Sequence, residues 1–392
     1  MDENEFIRRF AAIKRAAGGH SPSIATMRAG LGFEPRIDAC YLSNPCATDI
    51  VAGVLRERIL GDGLSDLVDR YPSQSWDLRP YLTNVADVSP DRLVVCNGVA
   101  EIISYLLGRR PGTTLLSVPT FSAYHQYASG EVVEHRTLET DQRRRADAFL
   151  DQARAVRPTT AVVINPNNPD GFTYETDVLD GLVAGLSEVC EQVIVDESFA
   201  GLVFPRPLAS SAPLVDQYPN VAVLRSLSKE YGIAGLRLGY AALPAHEARS
   251  AYDSGFLWNV NAFGESFLRS LASSEVVRAL EDARHEYLRA CADFIPAAAA
   301  LSRTRLASRT NFTLIEVPEG QSAAIVAARL AFRHGIYVRS CEDKIGLTDA
   351  WLRVAARRPD ENALVLPALE DLLGGTENRG ATLAQTSSAA HR

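Results

Sequence analysis

The sequence predicts an α/β fold: a large domain with a mostly parallel mixed sheet flanked by helices, and a smaller α+β domain beside it. Three observations carry that expectation. From about Asp91, short apolar runs alternate with helical stretches, in the order RLVVCNG, TTLLSVPTF, GEVVEHRTL, TAVVINPNNP, QVIVDESF, VAVLRSLSK and LRLGYAAL. Strands alternating with helices argue for a layered sheet. The runs are rich in Val, Ile and Leu without strict alternation, which suits strands buried on both faces. Finally, 392 residues at 46% hydrophobic suffice for a large core and a companion.

Taken in order, residues 1–55 read as a helix from Glu3 to Ala17 and a Gly/Pro/Ser-punctuated arm that packs with the small domain. The large domain is expected over 56–280. The stretch SSEVVRALEDARHEYLRACADFIPAAAALS reads as a helix broken or ended near Pro296. The small domain, 281–373, is assembled from TNFTLIEV, AAIVAARLAFRHG, IYVRS, AWLRVAA and ENALVLPALEDLLGG. The small, polar tail 374–392 lacks apolar surface to offset ordering entropy and is expected to be disordered.

Composition excludes several partners. A net charge of −8 without a basic cluster argues against nucleic acid and anionic membrane surfaces. No apolar run reaches the ~18 residues of a spanning helix, and the acidic, amphipathic N-terminus is not a secretory signal. Six scattered cysteines, with no CxxC pair and no suitably spaced His, predict reduced thiols, no metal site and a cytoplasmic protein.

The candidate chemistry lies at the C-terminal ends of the predicted strands, the edge where open α/β sheets bind ligands. Only three of the 40 basic residues are lysines: Lys14, Lys229 and Lys344. An arginine cannot give up its proton near neutral pH, whereas a lysine with a lowered pKa becomes an amine nucleophile. Lys229, preceded by Ser226 and Ser228 and followed by Arg237, reads as such an amine beside a phosphate seat. Lys14 and Lys344 read as ordinary surface lysines. Asp196 ends a very apolar strand, a costly place for a carboxylate unless a cation meets it. A protonated pyridine nitrogen would do so, and that pairing makes pyridoxal phosphate an electron sink; a helix cap or metal ligand is the alternative. Asn168, in the rigid INPNNPDG loop, offers a fixed amide to a phenolate oxygen, or belongs to an ordinary Pro/Asn turn. Gly98, Val99 and Ala100 open a helix whose free N–H groups suit a phosphate. Phe121 offers a flat face to a planar ring, or is a core aromatic.

The ordered motifs NPNNPDG, VDESF and SLSKEYGIAGLRLGY resemble those of the fold-type I pyridoxal-phosphate enzymes, aminotransferase class I/II, over about Tyr41 to Leu373. The likeness is nearest to histidinol-phosphate aminotransferases and threonine-phosphate decarboxylases. It implies pyridoxal 5'-phosphate as cofactor, bound covalently to Lys229. Asp196 would meet the ring nitrogen, Asn168 the phenolate oxygen and Phe121 the ring face. Val99, Ala100, Ser226, Ser228 and Arg237 would hold the phosphate. Tyr71 of the RYP motif would reach the neighbouring subunit's cofactor, making a homodimer the active unit. Asn44, Arg339 and Arg353 would face the substrate, Arg353 clamping a carboxylate and Arg339 helping to bind a phosphate-bearing side chain.

Three departures stand out: Phe199 replaces the tyrosine usual three residues after the aspartate, Pro45 replaces an acid of the substrate gate, and Arg357 and Arg358 follow Arg353 where Gly-Thr is usual. They point away from histidinol phosphate. The resemblance thus implies an aminotransferase working on an α-amino acid and a keto-acid acceptor, in amino-acid or specialised metabolism. The alternative is a decarboxylase, or an elimination, cyclisation or oxidation on the same cofactor; a non-catalytic regulator is the reading from another class.

Overall fold

A computed structural model describes residues 1–374. Its centre is a seven-stranded sheet: β1 (Leu93–Cys96), β2 (Thr114–Val118), β3 (Val132–Arg136), β4 (Thr160–Ile164), β5 (Gln192–Asp196), β6 (Val221–Ser226) and β7 (Gly239–Ala242). The spatial order is β1-β7-β6-β5-β4-β2-β3. Only β7 runs antiparallel to its neighbours, so the sheet is mixed but mostly parallel. All seven predicted runs became its strands.

Two-sided burial explains their unbroken apolar character. Along β5, Val193 and Val195 join one core and Ile194 the other. The helix Val99–Arg109 buries Ile102, Ile103, Leu106 and Leu107 at helical spacing. On the other face lie the helices Gln142–Val156 and Thr176–Val189; the latter buries Val178, Leu179, Leu182, Val183 and Leu186.

Further along, Phe312–Glu316, Arg339–Ser340 and Trp351–Ala355 form a three-stranded antiparallel sheet with the last strand in the middle. The first helix, Glu3–Ala16, packs against the helix Ala323–Arg329. Glu3 pairs with Arg329 and Arg333. Ile37–Asp38 pairs in parallel with Ile336–Tyr337, tying the arm to the same region.

Two expectations need correction. The long helix does not stop near Pro296 but runs from Ser274 to Ala299. Phe294, Ile295 and Ala298 are buried there, and that packing outweighs the hydrogen bond lost at proline. Lys14 and Lys344 are not surface residues: they are 5% and 6% exposed. Lys14 meets Asp343 at 3.0 Å; Lys344 belongs to the site below. The tail expected to be disordered lies, except for Gly374, outside the described residues. Among those residues no helix is long and apolar enough to cross a membrane.

Candidate active site

The strand ends converge on a cavity of about 230 Å3. From β1 come Gly98, Val99 and Ala100; from β2, Phe121; from β4, Asn168; from β5, Asp196; from β6, Ser226, Ser228 and Lys229. Arg237 arrives just before β7, its backbone left-handed at φ 56°. Arg339 and Arg353 enter from the three-stranded sheet. Eleven of the thirteen predicted site residues therefore line one cavity.

Local chemistry explains each position. Gly98, at φ 74°, starts a helix with no side-chain cap, leaving its first N–H groups free. A Cβ at Gly98 would stand 2.5 Å from an Arg237 guanidinium nitrogen, so only glycine admits that side chain over the helix end. The Asn168 loop is clamped as well as proline-stiffened. Asn167 Nδ2 donates to the Pro119 carbonyl at 3.0 Å and to Asp170 at 2.7 Å, while Arg145 pairs with Asp170 at 3.0 Å. Asn168 Oδ1 accepts from Arg353 at 2.6 Å, which leaves its two amide hydrogens for a ligand.

The charged groups are poised. Asp196 is 3% exposed, and accepts from the Tyr124 hydroxyl at 2.8 Å and the Ser198 N–H at 2.9 Å. Burial raises its carboxyl pKa, the cost a facing cation would offset. Burial, then Arg353 and Arg237, pull the Lys229 amine down to about 8. A large neutral fraction near pH 8 is what an amine nucleophile or proton carrier needs. Beneath it, Glu230 is held by Arg225 at 2.8 Å and Arg284 at 2.6 Å, fixing the turn that carries the lysine.

Two predicted residues stand elsewhere. Asn44 is fully buried outside the cavity: its side chain caps the helix Pro45–Asp62 and donates to the Glu230 carbonyl at 3.1 Å, and its N–H donates to the Lys229 carbonyl at 2.8 Å. In this chain it braces the lysine turn and does not line the cavity. Tyr71 lies 83% exposed beside Trp258, with ring centroids 5.4 Å apart, and does not line this chain's cavity. Of the departures, Phe199 lines the cavity and packs on Phe312 at 5.1 Å, so no hydroxyl is offered there. Arg358 turns away to Asp49 at 2.6 Å, and neither it nor Arg357 reaches the cavity.

The sequence reading missed Lys344 and the strap Gly19–Ser21, which crosses the cavity from the N-terminal arm. Arg339 donates to Ser21 Oγ at 2.6 Å and to the Gly19 carbonyl at 3.1 Å. The scarcity of lysine, applied to Lys229, also marked Lys344; nothing local marked the strap. Among the described residues, no group of three His, Cys, Asp or Glu side chains is placed to hold a metal, and all six cysteines are buried and unbridged.

Comparison with known proteins gives this geometry a context. A family model described as aminotransferase class I and II matches residues 73–368. The chain is 35% identical over 379 residues to the L-serine phosphate decarboxylase of Sulfurospirillum multivorans, covering 94% of this chain and 96% of that one. It is 30% identical over 368 residues to the histidinol-phosphate aminotransferase of Nitratidesulfovibrio vulgaris, covering 90% and 92%. A solved structure of a decarboxylase from Sulfurospirillum multivorans superposes with a TM-score of 0.87 at 34% identity, covering 95% of this chain and 97% of that one. The decarboxylase likenesses, at higher identity and coverage than the aminotransferase one, favour the decarboxylase alternative over the aminotransferase expected first.

The cavity fits pyridoxal phosphate by its own chemistry. It combines an uncapped helix end roofed by an arginine, a buried carboxylate with no ion-pair partner among the described residues, an amide with free donors and a lysine of lowered pKa at a strand end.

Proposed function

This chain belongs to the aminotransferase class I and II family, whose cofactor is pyridoxal 5'-phosphate, and within it we propose that it decarboxylates an α-amino acid bearing a phosphate-ester side chain. The observation that carries this reading is the 35% identity, over 94% of the chain, to an L-serine phosphate decarboxylase. The cavity supports it: Arg339, Lys344 and Arg353 are all buried, and among the described residues only Arg339 of the three has a carboxylate within ion-pair distance, Asp343 at 2.7 Å. A wall so charged suits a substrate with two anionic ends.

Val99, Ala100, Ser226, Ser228 and Arg237 would hold the cofactor phosphate, Asp196 its ring nitrogen, Asn168 its phenolate oxygen, Phe121 its face, and Lys229 its aldehyde carbon. When bound, the cofactor supplies an electron sink for the pair left as a bond at the substrate's Cα breaks. Arg353, fixed by Asn168 and by the Cys40 carbonyl at 2.8 Å, binds and orients a carboxylate. Lys229 holds the proton at Nζ and delivers it to Cα where carbon dioxide has left, giving a primary amine. The strap Gly19–Ser21 limits water at the reacting carbon. No keto-acid acceptor is then required. The active unit is a homodimer, Tyr71 of each chain reaching the other's cofactor phosphate, and six unbridged thiols suit the cytoplasm.

The test is to incubate the holoenzyme with O-phospho-L-serine and no keto acid. Release of carbon dioxide and O-phosphoethanolamine over many turnovers is expected. Stoichiometric pyridoxamine phosphate without carbon dioxide would instead establish the aminotransferase reading, which the likeness to histidinol-phosphate aminotransferases favours.

A further inference from the structure

The cavity wall opposite the cofactor seat holds more positive charge than the chain neutralises. Arg339 and Arg353 lie directly opposite each other on adjacent strands, a pairing that like charges disfavour. Arg339 shares Asp343 with Lys14. Among the described residues Arg353 hydrogen-bonds only neutral acceptors, and its Nε has no hydrogen-bond partner there. Beside them stands Lys344, 6% exposed, its Nζ donating to Ser122 Oγ at 2.6 Å and lying 3.5 Å from the Gly19 carbonyl. Among the described residues no carboxylate comes within ion-pair distance of that nitrogen. A buried, unpaired ammonium is costly. Burial, with Arg339 next, pulls its pKa down to about 7, so at pH 7.5 much of the unliganded amine is neutral and an arriving anion draws the proton onto it. A fold holds such a group against that cost where an anion arrives to meet it. A lysine, compact and with three rotatable donors, suits a tetrahedral anion that neighbouring arginines already approach.

We infer that Lys344 is the specificity-determining contact for the second negative charge of the substrate's phosphate, sharing that group with Arg339, while Ser122 and Gly19 keep the ammonium aimed into the cavity. This rests on the phosphate-ester reading above, but not on the fate of the carboxylate. A phosphate monoester carries close to two charges above its second pKa of about 6. A sulfate ester of the same shape carries one, so Lys344 separates the two by charge rather than fit.

The test uses calorimetric binding of O-phosphoethanolamine and ethanolamine O-sulfate to the holoenzyme at pH 7.5, in the wild type and in Lys344→Met. A charge-assisted hydrogen bond predicts a wild-type preference for phosphate of about ten- to a hundredfold, falling to within about threefold in the variant, with sulfate binding little changed. Lys344→Gln, neutral but polar, is expected to match Lys344→Met. Removing a buried amine that has no carboxylate partner should leave the melting temperature of the unliganded holoenzyme unchanged or higher. An undiminished preference in the variants, or no preference in the wild type, overturns the assignment. A lower melting temperature with preference intact also overturns it, marking Lys344 as a strut. If the wild type prefers phosphate yet never releases carbon dioxide from O-phospho-L-serine, the decarboxylase reading fails and the role of Lys344 stands.

Discussion

Val68 is 72% exposed, and its neighbours Leu60, Leu64, Tyr71, Leu257 and Trp258 are exposed too. Leu64 and Val68 stand one helical turn apart in the helix Leu64–Asp69, just before Tyr71. If the proposed homodimer forms through this face, Val68→Asp should break it. Returning most of a valine side chain to water costs about 1 kcal/mol. A carboxylate left partly desolvated adds about 1–2 kcal/mol. Two-fold symmetry repeats the lesion, so the interface loses about 4–6 kcal/mol, or roughly a thousand- to ten-thousandfold in dimer dissociation constant. Light scattering over a dilution series reads this directly, with wild type dimeric and the variant monomeric at micromolar concentration. Folding should be unharmed, because an exposed substitution usually changes stability by about 0.5 kcal/mol or less. A variant that stays dimeric with unchanged affinity would refute this interface, and with it the placement of Tyr71 in a neighbouring site.

Two further outcomes follow from the buried charges. Only the neutral Lys229 amine captures an aldehyde, so apoprotein should reload with pyridoxal phosphate about tenfold faster per pH unit below about 8 and level off above it; a flat profile of the visible absorbance rate from pH 6.5 to 9 would contradict the lowered pKa. Glu230→Gln removes the carboxylate that Arg225 and Arg284 share, leaving Arg225 only Glu197 at 3.3 Å, and should cost about 1.5–3 kcal/mol, seen as an earlier denaturant midpoint; an unchanged midpoint would show that the network does not brace the lysine turn.

Much of the proposed cofactor side was legible because its residues sit at fixed offsets from strand ends. Asp196, Asn168, Phe121 and Lys229 each follow an apolar run whose β character the composition declares. The substrate side was less so. Arg339 and Arg353 were visible through motif likeness, but Lys344 reads locally as solvent-facing, and only the packing of a distant strap and of Ser122 encloses it. Asn44 shows the converse: a gate motif named its position, while the structure spends its hydrogen bonds on the backbone groups of residues 229 and 230. The helix through Pro296 shows tertiary burial overriding a local breaker.

The strap's bonds to Arg339 close over more than 300 residues of sequence, whereas this chain's own part of the proposed cofactor seat draws on positions 98 to 237. Closing so long a loop is entropically slow. The wall around Arg339 therefore depends on both ends of the chain being docked at once, so loosening the N-terminal arm would open that side of the cavity while leaving the stretch that carries the proposed cofactor seat in place.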